Sequence, residues 1–196
     1  MLMFTPLRLI ASLLGLLVIG VPLAAFVIVL LAVLGSPGSC ESPDRPIVAR
    51  PEDAAAFQAK WDALNAALDG GRESTFTFTE GEATARAQQW VEENDVPVTD
   101  LRVCFDEGAG SASGKVDVPF FPGDVDVLVR GTVNLTGTKP NAVIDEIEVG
   151  SLPGPSANLV EQFINAIIDE QEKDVALAHD YGLAFEAGQM IVTGQP

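Results

Sequence analysis

The stretch DVDVLVRGTVNLT, Asp124 to Thr136, alternates apolar and polar side chains over thirteen positions. Val125, Val127, Val129, Val133 and Leu135 fall on one face, and Asp124, Asp126, Arg130, Thr132, Asn134 and Thr136 on the other. A period of two over that length predicts a long strand with one buried and one wet side, as in an antiparallel sheet. Its neighbours in sequence read similarly. Ala142 to Val149 supplies another strand, ending at Gly150. From Val98 onward Leu101, Val103 and Phe105 share one face, while Arg102, Cys104 and Asp106 share the other. Between these strands, Gly108 to Gly114 (GAGSASG) reads as a small-residue turn. Phe76 and Phe78 alternate with threonines in a strand over Ser74 to Phe78. Two last strands, about Val175 to Glu186 and Gln189 to Thr193, turn at Ala187-Gly188.

Three helices punctuate the strands. Pro51 opens the first, followed by Glu52 and Asp53 at the positive end of its dipole. Phe57, Trp61, Leu64 and Leu68 then define one helical face, and Gly70-Gly71 ends it. Thr79 to Glu82 forms a T-x-x-E capping box ahead of a helix reaching about Asn94. That helix is poor in bulky residues, with Ala83, Ala87, Trp90 and Val91 on one side. The third, about Ser156 to Glu172, carries the widest apolar stripe: Leu159, Val160, Phe163, Ile164, Ile167 and Ile168. Helices set among antiparallel strands predict an α+β class, and no repeat of 20 to 50 residues is evident.

Upstream of this domain the polymer changes character. Leu9 to Leu34 is a 26-residue apolar run, and no charge occurs between Leu9 and Cys40. Spanning a hydrocarbon core takes roughly 20 residues at ~1.5 Å each, so the run is long enough for a tilted transmembrane helix. A secretory signal peptide has a shorter apolar core of about 7–15 residues, which favours an uncleaved anchor. The Gly38-Ser39-Cys40 sequence suggests a lipoprotein signal, but Pro37 stands where an aliphatic residue is required. Residues 1–8 then form a short tail expected inside, 9–34 the span, 35–50 a Pro/Gly/Ser-rich linker and 51–196 a domain outside the cytoplasm. All 28 acidic residues lie beyond Cys40 with 10 of the 11 basic ones, giving 10 − 28 = −18 there. With no basic cluster to displace counterions, nucleic acid is not an expected partner.

Catalytic constellations are hard to name. His179 is the one histidine in the chain and no nucleophile or carboxylate is assigned to it by any motif. GAGSASG lacks the ending of a phosphate loop, and neither of its serines centres a G-x-S-x-G elbow. Asp124 and Asp126, near Asp145, Glu146 and Glu148, make a calcium site conceivable, but a solvated sheet face is the favoured reading and no EF-hand or His/Cys ligand spacing occurs. Asn134-Leu135-Thr136 formally matches a glycosylation acceptor. Cys40 and Cys104 are able to pair in an oxidising compartment and tie the linker to the domain, and two independent thiols are an equal reading. Neither an enzyme nor a cofactor is expected.

Three segments carry a family resemblance: the strand and helix start Phe78-Thr79-Glu80-Gly81-Glu82; Val149-Gly150-Ser151-Leu152-Pro153-Gly154-Pro155 before an apolar helix containing Asn165; and the closing Gly188-Gln189-Met190-Ile191-Val192-Thr193-Gly194. In these the chain resembles the YpmS-like family of bacterial single-span membrane proteins and, more distantly, the tubular lipid-binding (BPI-like) superfamily. Ala83-Thr84 stand where that pattern has a Leu-Asn pair, and Gly154 replaces a bulky residue. The resemblance implies a long curved antiparallel sheet packed around one or two helices, with an apolar groove that accepts acyl chains. Phe76, Phe78, Val125, Val127, Val129, Phe163, Ile164 and Ile167 would line that groove or the core beside it. The expected function is lipid or apolar-ligand binding or transfer by a membrane-anchored domain. A cell-envelope module whose acidic face meets a protein partner is the alternative.

Overall fold

Pro51 starts helix α1 (Pro51–Asp69), and the Asp53 carboxylate accepts the Arg50 N–H at 2.8 Å. The computed structural model describes residues 39–41, 44–118, 123–150, 158–166 and 176–196. Leu64 and Leu68 are buried on the predicted face of α1, with Phe57 and Trp61 half-buried. Gly71, at φ +67°, stops the helix. Strand β1 (Ser74–Thr79) follows and hands over directly to helix α2 (Glu80–Glu93) through the capping box. The Glu82 N–H donates to Thr79 Oγ1 at 3.3 Å, and the Thr79 N–H donates to Glu82 Oε2 at 2.9 Å.

Glu82 also meets Lys60 Nζ at 2.7 Å, and that ammonium donates to the Thr77 carbonyl at 2.8 Å. Burial works to raise the Glu82 carboxyl pKa, but the hydrogen bonds from Lys60 and Thr79 and the Lys60 charge together hold it below the usual carboxylate value. A lowered folded-state pKa stabilises the fold above the unfolded value, about 4.3, and that contribution disappears as pH falls through the folded value. Urea midpoints taken across this acid range should therefore fall less steeply for Glu82→Gln than for the wild type. Parallel curves would show that the ion pair adds nothing.

The strands form two antiparallel sheets. β2 (Val98–Asp106), β3 (Ala109–Asp117), β4 (Asp124–Asn134) and β5 (Asn141–Val149) lie in the order β2-β3-β4-β5. β6 (Asp180–Glu186) and β7 (Gln189–Gln195) join β1 in the order β1-β7-β6. This is the predicted α+β class, with two sheets in place of one long curved one. The split has a local cause at the end of β4. Asn134 Oδ1 accepts both the Thr136 N–H (2.9 Å) and its hydroxyl (2.7 Å), and Gly137 turns away at φ +91°. Among the described residues the Leu135–Tyr181 bridge continues into the second sheet. The hairpin tips are joined as well: Gly108 N–H donates to the Phe185 carbonyl (3.1 Å), and Gly188 N–H to that of Phe105 (2.9 Å).

Of GAGSASG, the expected turn, only Gly108, at φ +80°, lies in a turn; Ala109 to Gly114 are strand. That strand part lies inside β3, between β2 and β4, where small residues allow close approach: a Cβ at Gly114 would sit 3.1 Å from the Thr99 carbonyl oxygen. In β5, Ile144 and Ile147 are three residues apart, which strict alternation cannot place on one face. The β4–β5 register shifts between Arg130 and Gly131, passing over Asp145, so that both isoleucines reach the same side. Gly131 is required there, because a Cβ would collide with the Val143 carbonyl oxygen.

Helix α2 lies along β2, the edge strand of its sheet. Glu80 Oε1 accepts the Phe105 N–H (2.8 Å), the Thr84 hydroxyl bonds both the N–H and carbonyl of Val103, and Gln88 Nε2 donates to the Leu101 carbonyl (2.8 Å). Four helical residues rise about 6 Å and two strand residues about 6.7 Å, so side chains at i, i+4 and i+8 match successive backbone groups along the strand. The helix thereby covers the edge that would otherwise be open to another chain.

Two apolar clusters result. One joins Val116, Val118, Val125, Val127 and Val149 to Val160 and Ile164 of helix α3, described over 158–166. Leu159, counted in the predicted stripe, is 52% exposed, and Ile167 and Ile168 lie outside the described residues. The other cluster joins Leu64, Leu68, Phe78, Tyr181 and Val192. Burial, aided by the Asp69 charge, raises the Tyr181 phenol pKa against a backbone hydrogen bond from His179.

The segment before α1, read as linker, is docked where it is described. Cys40 is disulfide-bonded to Cys104, and Arg45 reaches the nearly buried Glu80 at 3.0 Å. Cys104, placed by alternation on a polar face, is fully buried because this segment covers it. Among the described residues no helix is long and apolar enough to cross a membrane; Leu9–Leu34 lies outside them.

Candidate functional site: an apolar cleft between two cores

The valine row of β4 serves two purposes along its length. Val125 and Val127 are covered by α3, whereas Val129, Gly131 and Val133 continue on the same face into a cleft of about 720 Å³. Strand register explains why a cleft exists there. Phe105, Gly110, Gly131 and Ile144 stand side by side across β2, β3, β4 and β5, and Val103, Ala112 and Val129 form the adjacent row. Two glycines and an alanine in the middle of these rows leave the sheet without side chains to fill the space above it. The floor is therefore a trough with taller residues at its sides.

Its walls come from other elements. Phe57 and Trp61 of α1 and Ala83, Ala87 and Trp90 of α2 form one wall, and Leu183 and Phe185 of β6 with Met190 of β7 form another. The small side chains of α2 thus keep the cleft open, just as those of β3 do. Phe57, Trp61, Trp90, Leu183 and Met190 are only half-buried. The space lies between the two apolar clusters, bordered by Val129 of the first and by Phe57, Trp61, Leu183 and Met190 of the second. A volume of this size falls within the range of small-molecule sites, which are mostly apolar with a few polar groups.

Among the residues predicted to line a groove or the adjoining core, Val129 lines this cleft. Val125, Val127 and Ile164 are buried in the first cluster, with Phe163 packed against it. Phe78 is buried in the second cluster and Phe76 packs on it. Ile167 lies outside the described residues. The structure thus distributes the seven described positions over two cores and one cleft wall. The aromatic wall was absent from the predicted set because Phe57 and Trp61 look like ordinary core positions on an amphipathic helix, and the glycine floor because GAGSASG lacks an alternating pattern. Trp90 facing an alanine-rich helix side was the available signal.

Chemistry elsewhere is sparse. His179 Nε2 meets Asp69 Oδ1 at 3.0 Å and its ring lies edge-on to Tyr181. Neither His179 nor Asp69 lines the cleft. Among the described residues no three His, Cys, Asp or Glu side chains gather to hold a metal ion. Lys115, opposite Asp126 in the β3–β4 register, pairs with Asp100 at 3.2 Å. No protein-family model, curated protein or solved structure matches the chain.

Proposed function

We propose that this chain is a membrane-tethered, non-catalytic protein whose outer domain binds or passes on a lipid or other apolar ligand. The observation that supports the reading is the cleft itself: a large concavity whose aromatic and aliphatic walls are left half-buried. Leaving so much apolar surface uncovered costs free energy that a better-filled core would recover, at about 25 cal/mol per Å². An apolar occupant offsets that cost. In this reading Leu9–Leu34 is the transmembrane anchor and keeps the cleft near the bilayer from which its ligand comes.

The chain provides its own reporter, since both of its tryptophans, Trp61 and Trp90, line the cleft. The full chain in phosphatidylcholine nanodiscs should lose tryptophan fluorescence on adding methyl stearate carrying a doxyl quencher on its tail. Ala112→Phe fills the trough floor between Val103 and Val129 and should reduce that quenching at least tenfold in apparent affinity. Absence of quenching in the wild type, or equal quenching in both proteins, would remove the support for a ligand cleft.

A further inference from the structure

We infer that the occupant is a long-chain fatty acid whose carboxylate is held by Arg86; this rests on the cleft being a ligand site. The chain contains 28 Asp and Glu residues, yet none of the described ones lines the cleft, and Arg86 is the one charged residue among the described residues that does. In a domain this acidic, a wall without carboxylates and with a single guanidinium is complementary to a monoanion and disfavours a cation. Arg86 also stands at a boundary. A second cavity of about 730 Å³ shares Gln58 and Arg86 with the cleft, and its lining sets Arg50, Gln88, Gln89, Glu92 and Glu93 beside small apolar residues such as Ala54 and Ala85. On one side of the guanidinium the environment suits an alkyl chain, and on the other it suits a hydrated head.

The choice of a carboxylate follows from what Arg86 holds already. Its Nη1 meets Glu93 Oε2 at 3.3 Å, and the Glu93 side chain is about half exposed. This contact is long, single and solvent-facing, of a kind that contributes little to stability. An incoming fatty carboxylate would replace Glu93 and can take both nitrogens of the fork, forming the stronger bidentate pair. Glu93 is then a resident competitor for the headgroup position, and the two side chains give opposite predictions.

Doxyl-stearate and its methyl ester share one tail and differ at the head, an anionic carboxylate in one and a neutral methyl ester in the other. With the full chain in phosphatidylcholine nanodiscs, at a pH where the acid is ionised, the wild type should bind the acid about tenfold more tightly than the ester by tryptophan quenching. Arg86→Gln should abolish that preference, so that the variant binds acid and ester alike, and Glu93→Gln should increase it. Equal binding of acid and ester by the wild type, or a preference that survives Arg86→Gln, overturns the carboxylate assignment and leaves the cleft as a ligand site. Stronger quenching by a doxyl-labelled phosphatidylcholine than by the acid overturns the assignment in favour of a zwitterionic lipid. Failure of every probe to quench the wild type overturns the cleft reading together with this one.

Discussion

Replacing Cys40 by serine is expected to lower the stability of the folded domain by about 4 kcal/mol. The bond to Cys104 closes a loop across a sequence separation of 64 that contains α1, β1 and α2. Cross-linking a chain over that distance removes roughly 14 cal/mol/K from the denatured ensemble in the chain-entropy account. For a protein of this size the loss corresponds to a melting temperature lower by about 10 °C. The effect has a local part too, because Cys104 is fully buried beneath the segment that carries Cys40. That segment also brings Arg45 to Glu80, so loosening it weakens the charge pairing of a nearly buried carboxylate. Thermal melts of the wild type with and without reductant, beside Cys40→Ser, would check this. Coincident melts in all three would refute it.

Phe78→Ala should cost a similar amount, about 3–5 kcal/mol. The Phe78 ring is fully buried, its centroid 4.6 Å from that of Phe57 and 6.3 Å from that of Trp61, with Lys60 Nζ 5.7 Å from its centroid. Truncation leaves a void between α1 and the β1-β7-β6 sheet that neither can close, because the register of β1 on β7 is fixed by six residue pairs. Natural domains are stable by about 5–15 kcal/mol, so this single change removes a large part of the total. Urea unfolding should show a lowered midpoint with an unchanged slope. A loss below about 1 kcal/mol would mean that the ring is not a core residue.

Much of this architecture was legible where local rules and tertiary structure agree. The Thr79–Glu82 box, the α1 face and the alternation of β4 each encode their geometry within a few residues. Legibility failed where a residue's role is set by a distant partner. Gly110, Ala112 and Gly114 have no pattern of their own; they form a strand because β2 and β4 flank them. Glu80, Thr84 and Gln88 look like polar residues of a solvated helix, yet their i, i+4, i+8 spacing serves the backbone of β2. The cleft was the least legible feature, since it is made by side chains that are missing from its floor. Of the described residues predicted for groove or core, the large ones mostly pack in the two clusters, where burial is most favourable, and only Val129 at the border lines the open space.

The disulfide also sets a mechanical range. Cys104 lies between Val103 and Phe105, both of which line the cleft. If Leu9–Leu34 crosses the bilayer as proposed, only six peptide steps separate its end from Cys40, a reach of about 20 Å when fully extended. The cleft wall is then on a short leash whose fixed point is β2 itself. Reducing the bond, and undocking the segment it holds, would move the fixed point to the start of α1 and let the leash run to nearly three times that length. The redox state of one bond would thereby govern how far the cleft can travel from the membrane.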